Sequence, residues 1–129
     1  MKKFQSMYKI YVMDMLLGLI YFWWIIHLLK LKIFQSKVLI IGVGGLGCSV
    51  AEFLTRAGIG SLWIVDSDDV ELSNIHRQSL YDIGDLKKPK VKAALKKLNK
   101  INHKTKVICH KIRLNKKNFS KIINNYEYI

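Results

Sequence analysis

A glycine-rich run, Gly42-Val43-Gly44-Gly45-Leu46-Gly47, stands between two short apolar segments and fixes most of what this 129-residue chain can become. Before it, Lys37 to Ile41 (KVLII) is an unbroken, β-branched run of the kind that forms a buried strand. After it, Cys48 to Ala57 reads as a helix, with Val50, Ala51, Phe53, Leu54 and Ala57 on one side and Gly58 and Gly60 as its stop. Ser61 to Val65 (SLWIV) is a second buried strand, closed by Asp66. Strand, helix and strand in this order make a βαβ unit. Two parallel strands need such a crossover, and helices then cover the sheet.

Within that unit the spacing GxGxxG has a physical purpose. The glycines allow a tight turn and close approach of a phosphate, and the helix N-terminus offers it free N–H groups and a positive dipole end. Asp66 follows Gly42 by 24 residues, at the tip of the second strand, where a carboxylate can accept hydrogen bonds from ribose hydroxyls. A plain tight turn is the alternative, but strand, glycines, helix, strand and terminal acid agree on a nucleotide site. Cys48 sits where a helix N-terminus could lower a thiol pKa. We read it as a small packing residue.

Acids, Asn, Arg and Gln crowd the next stretch, Asp66-Ser67-Asp68-Asp69-Val70-Glu71-Leu72-Ser73-Asn74-Ile75-His76-Arg77-Gln78. Arg77 can clamp a phosphate through two parallel hydrogen bonds. Asn74 can bond ribose or phosphate. Pro89 suits a helix start, so Lys90 opens a helix that carries Val91, Ala94, Leu95, Leu98 and Ile101 at helical spacing. Lys90 could there direct its charge at a triphosphate, whereas Lys92, Lys96 and Lys100 share a solvated face. A hydride-transferring NAD domain would not need the Arg-bearing loop. Lys106 to Ile112 reads as a third strand and Lys117 to Ile123 as a weak helix.

GVGGLG, DSDDVELSNIHRQ and KPK in this order resemble the ThiF/MoeB/HesA adenylyltransferases, relatives of ubiquitin-activating enzymes. The resemblance runs from about Lys37 to at least His110. It implies a Rossmann-like, doubly wound parallel α/β sheet, of which the chain holds the first half, behind a hydrophobic N-terminal helix. It implies use of ATP with Mg2+, commonly by a homodimer. The C-terminal carboxylate of a ubiquitin-like sulfur-carrier protein, in thiamine or molybdopterin synthesis, would attack the α-phosphate to give an acyl-adenylate and pyrophosphate. Residue by residue, Gly42, Gly44, Gly45 and Gly47 match the phosphate turn and Asp66 the ribose-binding acid. Asn74 and Arg77 match the nucleotide- and phosphate-binding pair, Lys90 the lysine that stabilises the transferring phosphate, and Asp68 a further motif acid. Arg77 and Lys90 are thus the expected catalytic residues.

Both ends depart from that pattern. The magnesium-binding Asp of the family is expected beyond Ile129, and the family's zinc-binding CxxC pairs are absent. Residues 1–36 hold no arginine, although family members place one there that reaches the partner's ATP. An N-terminal fragment with partly out-of-frame residues up to about Phe34 is the expected explanation. Half of a split protein and a membrane-tethered variant are the alternatives. An ATP-binding remnant without catalysis is accordingly the alternative function, with an NAD-binding dehydrogenase domain behind it.

The chain divides into a hydrophobic segment, 1–36, and a nucleotide-binding half-domain, 37–129. Ile10 to Leu29 is nearly all apolar and about long enough to cross a bilayer, although Asp14 and His27 lie inside it. Residues 86–129 carry 14 basic residues and one acid, within a total net charge of +13. That lysine block reads as a solvated helix face and not a nucleic-acid surface, because base-reading motifs and interleaved aromatics are absent. Two cysteines without a CxxC exclude a disulfide framework and a zinc site built from this chain alone, and point to a cytoplasmic protein, with membrane association through residues 10–29 as the alternative. His27, His76, His103 and His110 lack metal-ligand spacing. Tyr81 and Trp63 are expected in the core. Without a second half to the sheet, Ile40, Ile64 and Val107 are expected to lose neighbours, leaving an exposed edge.

Overall fold

A computed structural model describes residues 2–124. Its elements are α1 (Lys2–Gln35), β1 (Lys37–Ile41), α2 (Gly45–Arg56), β2 (Ser61–Val65), α3 (Lys90–Ile101), β3 (Lys106–His110) and α4 (Lys116–Asn124). Two short 3-10 turns, Leu72–Asn74 and Ile83–Asp85, lie between β2 and α3. The strands form one parallel sheet in the order β1-β2-β3. Lys37, Ser61 and Lys106 start it level, and Ile41, Val65 and His110 end it level. This is the expected parallel α/β sheet. Residues 125–129, where the family resemblance would place the start of another strand, lie outside the described residues.

The core lies between one face of the sheet and the helices α2 and α3. Ile40, Leu62 and Ile64 project into it, with Val38, Val107 and Cys109 packed against its rim. Cys48, Ala51 and Thr55 line it from α2, and Val91, Ala94 and Leu98 from α3. Full burial of a side chain such as Leu62 or Leu98 is worth about 1.5–3 kcal/mol.

Three expectations are corrected. Ile40 and Ile64 do not lose their neighbours, since they face α2 and α3 and are buried. Strand alternation sends Leu39 and Ile41 to the other face, where Ile41 is 55% exposed. An unbroken apolar run gives no sign of which face is which. The helix α2 begins at Gly45, not Cys48. Its inward residues are small, because the glycine turn brings it close to β1, and Val50 and Phe53 point outward. The third strand ends at His110, short of Ile112.

The helix α1 is one continuous 34-residue helix. Residues 13–35 are exposed throughout, and Met13–Gln35 is long and apolar enough, by length and composition, to cross a membrane. Its end is tied to the start of β2, where the Gly60 N–H donates to the Ile33 carbonyl (3.3 Å) and the Ser61 N–H to the Ser36 carbonyl (3.1 Å).

Candidate functional site

The loops at the carboxyl ends of β1 and β2 meet beside the first turn of α2. Gly42 leaves β1 with φ +88°, a conformation that side chains disfavour. Its N–H donates to the Val65 carbonyl at the end of β2 (2.8 Å). Gly47 sits directly over this turn: a Cβ there would lie 1.9 Å from the Gly42 carbonyl oxygen. Gly44 is the residue before the helix, and no side chain caps it. Among the described residues no side chain caps the first N–H groups of α2, as an anion site requires.

Asp66 joins the two loops. One carboxylate oxygen accepts from the Val43 N–H (2.7 Å) and the other from the Asp68 N–H (2.8 Å). Each oxygen keeps a lone pair for a further donor, such as a ribose hydroxyl. From the opposite side the buried Tyr81 hydroxyl donates to the Val43 carbonyl (2.7 Å), and the Cys48 thiol donates to the same oxygen (3.3 Å). Burial pushes the Cys48 and Tyr81 pKa values up, so both stay protonated donors. The low thiol pKa considered for Cys48 from its position is thus reversed by desolvation, in keeping with a packing role.

Lys90 reaches the site from the start of α3. Its N–H donates to the Asp68 carbonyl (3.0 Å), and its buried ammonium lies 3.5 Å from the exposed Asp68 carboxylate. The segment around Asp68–Val70 lies antiparallel to Lys87–Lys90 through the Asp69–Pro89 bridge and hydrogen bonds between Val70, Lys87 and Lys88. Lys111, just beyond β3, pairs with Asp69 at 2.7 Å.

Asn74 is buried, and its side-chain oxygen accepts from the Glu71 N–H (3.0 Å), so it first shapes its own loop. Arg77 is exposed. One guanidinium nitrogen donates to the Ser73 carbonyl (2.6 Å), leaving most of the fork to spare. Its carbonyl oxygen would lie 3.9 Å from a Cβ on Gly45, which puts this loop against the phosphate turn. Gly42, Gly44, Gly45, Gly47, Asp66, Asp68 and Lys90 thus share one end of the sheet, with Asn74 and Arg77 on the adjoining loop.

Sequence reasoning assigned Tyr81 only to the core and did not single out Gln78. Tyr81 bonds a residue 38 positions away, a tertiary contact with no local signal. Gln78 is 3% exposed, and its side-chain oxygen has no partner among the described residues. Its place in the SNIHRQ run was the available clue. Among the described residues no group of three or more His, Cys, Asp or Glu side chains could hold a metal ion.

Comparison with known proteins identifies relatives of this chain. The chain is 42% identical over 100 residues to the adenylyltransferase and sulfurtransferase UBA4 of Vanderwaltozyma polyspora, covering 78% of this chain and 23% of that protein. It is 41% identical to the adenylyltransferase and sulfurtransferase MOCS3 of Drosophila grimshawi, covering 78% and 22%. Among solved structures, E. coli MccB with ATP superposes with a TM-score of 0.70 at 31% identity, over 72% of this chain and 28% of that one. The chain thus spans about a quarter of the length of these relatives. The sequence pattern of the ThiF family matches residues 22–129, beginning inside α1. The chain belongs to the ThiF family.

Proposed function

We propose that the chain carries the ATP-binding part of an adenylyltransferase that activates the C-terminal carboxylate of a ubiquitin-like sulfur-carrier protein. A carboxylate oxygen bonds to the α-phosphorus, the bond to the β-phosphate oxygen breaks, and pyrophosphate leaves. The observation that carries this reading is the meeting of the glycine turn, Asp66 and Lys90 at one end of the sheet: the Asp66 carboxylate ties the turn to Asp68, and Lys90 pairs with Asp68. The turn and the N-terminus of α2 would hold phosphates. Asp66 would accept from the ribose, while Lys90 and Arg77 would offset charge on the phosphates. Nucleotidyl transfer needs mainly such positioning and positive charge.

The relatives named adenylyltransferase and sulfurtransferase support the choice of a sulfur carrier, and MccB with ATP supports the nucleotide. Thiamine or molybdopterin synthesis is the pathway we propose for that carrier. Mg2+ would accompany ATP, with the magnesium-binding Asp of the family pattern expected beyond Ile129. A homodimer with its nucleotide site in the cytoplasm is the proposed working form.

Titration of the chain with ATP and with NAD tests the reading. ATP is expected to bind more tightly, and Arg77→Ala and Lys90→Ala to weaken it about tenfold each, the loss of one charge-assisted contact. Tighter binding of NAD, or no effect of either substitution, overturns it. ATP–pyrophosphate exchange in the presence of carrier then separates adenylation from binding alone.

A further inference from the structure

We propose that α1 is a membrane-spanning helix and that the sheet end from which it emerges rests on an anionic bilayer surface, with the nucleotide site facing away into water. Three observations lead there.

The first is the shape of the apolar surface. Met15 to Ile26 contains no charged residue over about three turns, so apolar side chains look out in every direction. The large ones among them are all at least 36% exposed. A helix that docks in a protein groove needs one apolar stripe, whereas a helix apolar all round belongs in a protein core or in lipid. None of Met13–Gln35 is buried among the described residues, and its length and composition fit lipid. The 23 residues span about 35 Å, against a hydrocarbon thickness of about 30 Å. Asp14 lies one residue inside one end, and Lys30 and Lys32 lie in the last turns, where long side chains reach the interface. His27 stacks on Trp23 with ring centroids 4.4 Å apart.

The second is where the helix joins the domain. The hydrogen bonds from Gly60 and Ser61 to Ile33 and Ser36 fix its end to the amino ends of the strands. The glycine turn and Asp66 lie at the carboxyl ends, the length of five-residue strands away, about 17 Å. Insertion of α1 therefore leaves the nucleotide site open.

The third is an excess of basic charge at the amino end of the sheet. Exposed Lys37, Arg56, Lys100, Lys104 and Lys106 gather at the amino ends of the strands and the carboxyl ends of the helices that feed them. Glu52, the nearby acid on α2, is occupied by Arg56 and Ser79. Asp66, Asp68, Asp69 and Glu71 lie at the opposite end, where Arg77, Lys90 and Lys111 offset them. A basic surface beside a membrane helix complements anionic headgroups, each near-surface lysine adding to the attraction at low salt.

The test is synthesis of the full chain with phosphatidylcholine vesicles, with and without phosphatidylserine, followed by an alkaline wash and flotation. Flotation separates membrane-bound chain from aggregate, which sinks. The chain is expected to float with both vesicles after the wash. Phosphatidylserine is expected to raise the floating fraction several-fold at low salt in the unwashed sample. Leu19→Arg with Ile20→Arg should cut the washed floating fraction about tenfold or more. Lys100→Glu with Lys104→Glu should remove the phosphatidylserine preference and keep the wash-resistant fraction. Release by the alkaline wash, flotation unchanged by the arginine pair, or a mass showing that the helix is cleaved off overturns the proposal. ATP binding by the same arginine variant reads the nucleotide site separately, so either reading can fail without the other.

Discussion

Gly47 and Gly44 belong to one motif but answer to different constraints. A side chain at Gly47 meets the Gly42 backbone at 1.9 Å, and backbone cannot step aside cheaply. Nothing lies within 4 Å of a Cβ at Gly44. Gly47→Ala is therefore expected to cost more than about 2 kcal/mol in chemical denaturation, and Gly44→Ala within about 0.5 kcal/mol. If phosphates approach this turn, Gly44→Ala should still weaken ATP binding in titration, so stability and affinity part company at that position. The thiols make a second residue-scale case. Burial pushes Cys109 up to about 11 from an ordinary 9.0, and raises Cys48 as well. The folded chain keeps these protons where the unfolded chain sheds them. Their contribution to stability is thus full below pH 9 and falls away as pH rises toward 11. Alkylation at pH 8 is expected to label neither thiol until denaturant is added, and rapid labelling of Cys48 in the folded chain would contradict this. The site was largely readable at this scale, because glycines, a strand-tip acid and an Arg-bearing loop keep fixed spacings along the chain. The bonds from Tyr81 to Val43 and from Asp66 to Val43 were not, since they join residues 38 and 23 positions apart.

Elements were readable where a period or a punctuating residue marks them. The helix α3 shows its apolar face at Val91, Ala94 and Leu98, and the structure buries those residues. The helix α2 was harder to orient. Its largest apolar side chain, Phe53, is 71% exposed, while Cys48, Ala51 and Thr55 face the sheet. Hydrophobicity favoured Phe53 as core. Close packing at the glycine turn favoured small residues, and packing prevailed. The two helices predict opposite results from truncation. Leu98→Ala removes a fully buried side chain and should cost about 2–5 kcal/mol. Phe53→Ser should change denaturation by no more than about 0.5 kcal/mol. A large loss with Phe53→Ser would mean that the exposed face of α2 is covered in solution. The strands, by contrast, showed their existence but not their faces, because KVLII and SLWIV carry no alternation.

At the scale of the molecule, the apolar surface outside the core includes the shaft of α1, and the sheet face of Leu39 and Ile41 with its β1 edge. Parallel sheets are normally covered on both faces, and an open strand edge invites pairing with other chains. The chain in water is therefore expected to aggregate for two separable reasons. Detergent or lipid that covers α1 removes the first. Ile41→Thr, at a site already half open, should then lower the residual association measured by light scattering while leaving the core intact. Nucleotide acts on stability instead. The site draws on the loops after β1 and β2 and on the start of α3, so a ligand bound there favours only the folded arrangement of all three. At 100 times its dissociation constant ATP adds about 2.7 kcal/mol, a rise of several degrees in a thermal melt of the detergent-solubilised chain. Arg77→Ala should shrink that rise without moving the unliganded midpoint, since Arg77 is exposed and its described contacts are local. A melt that ATP leaves in place, at concentrations that saturate binding, would mean that the nucleotide holds to something other than the folded glycine turn.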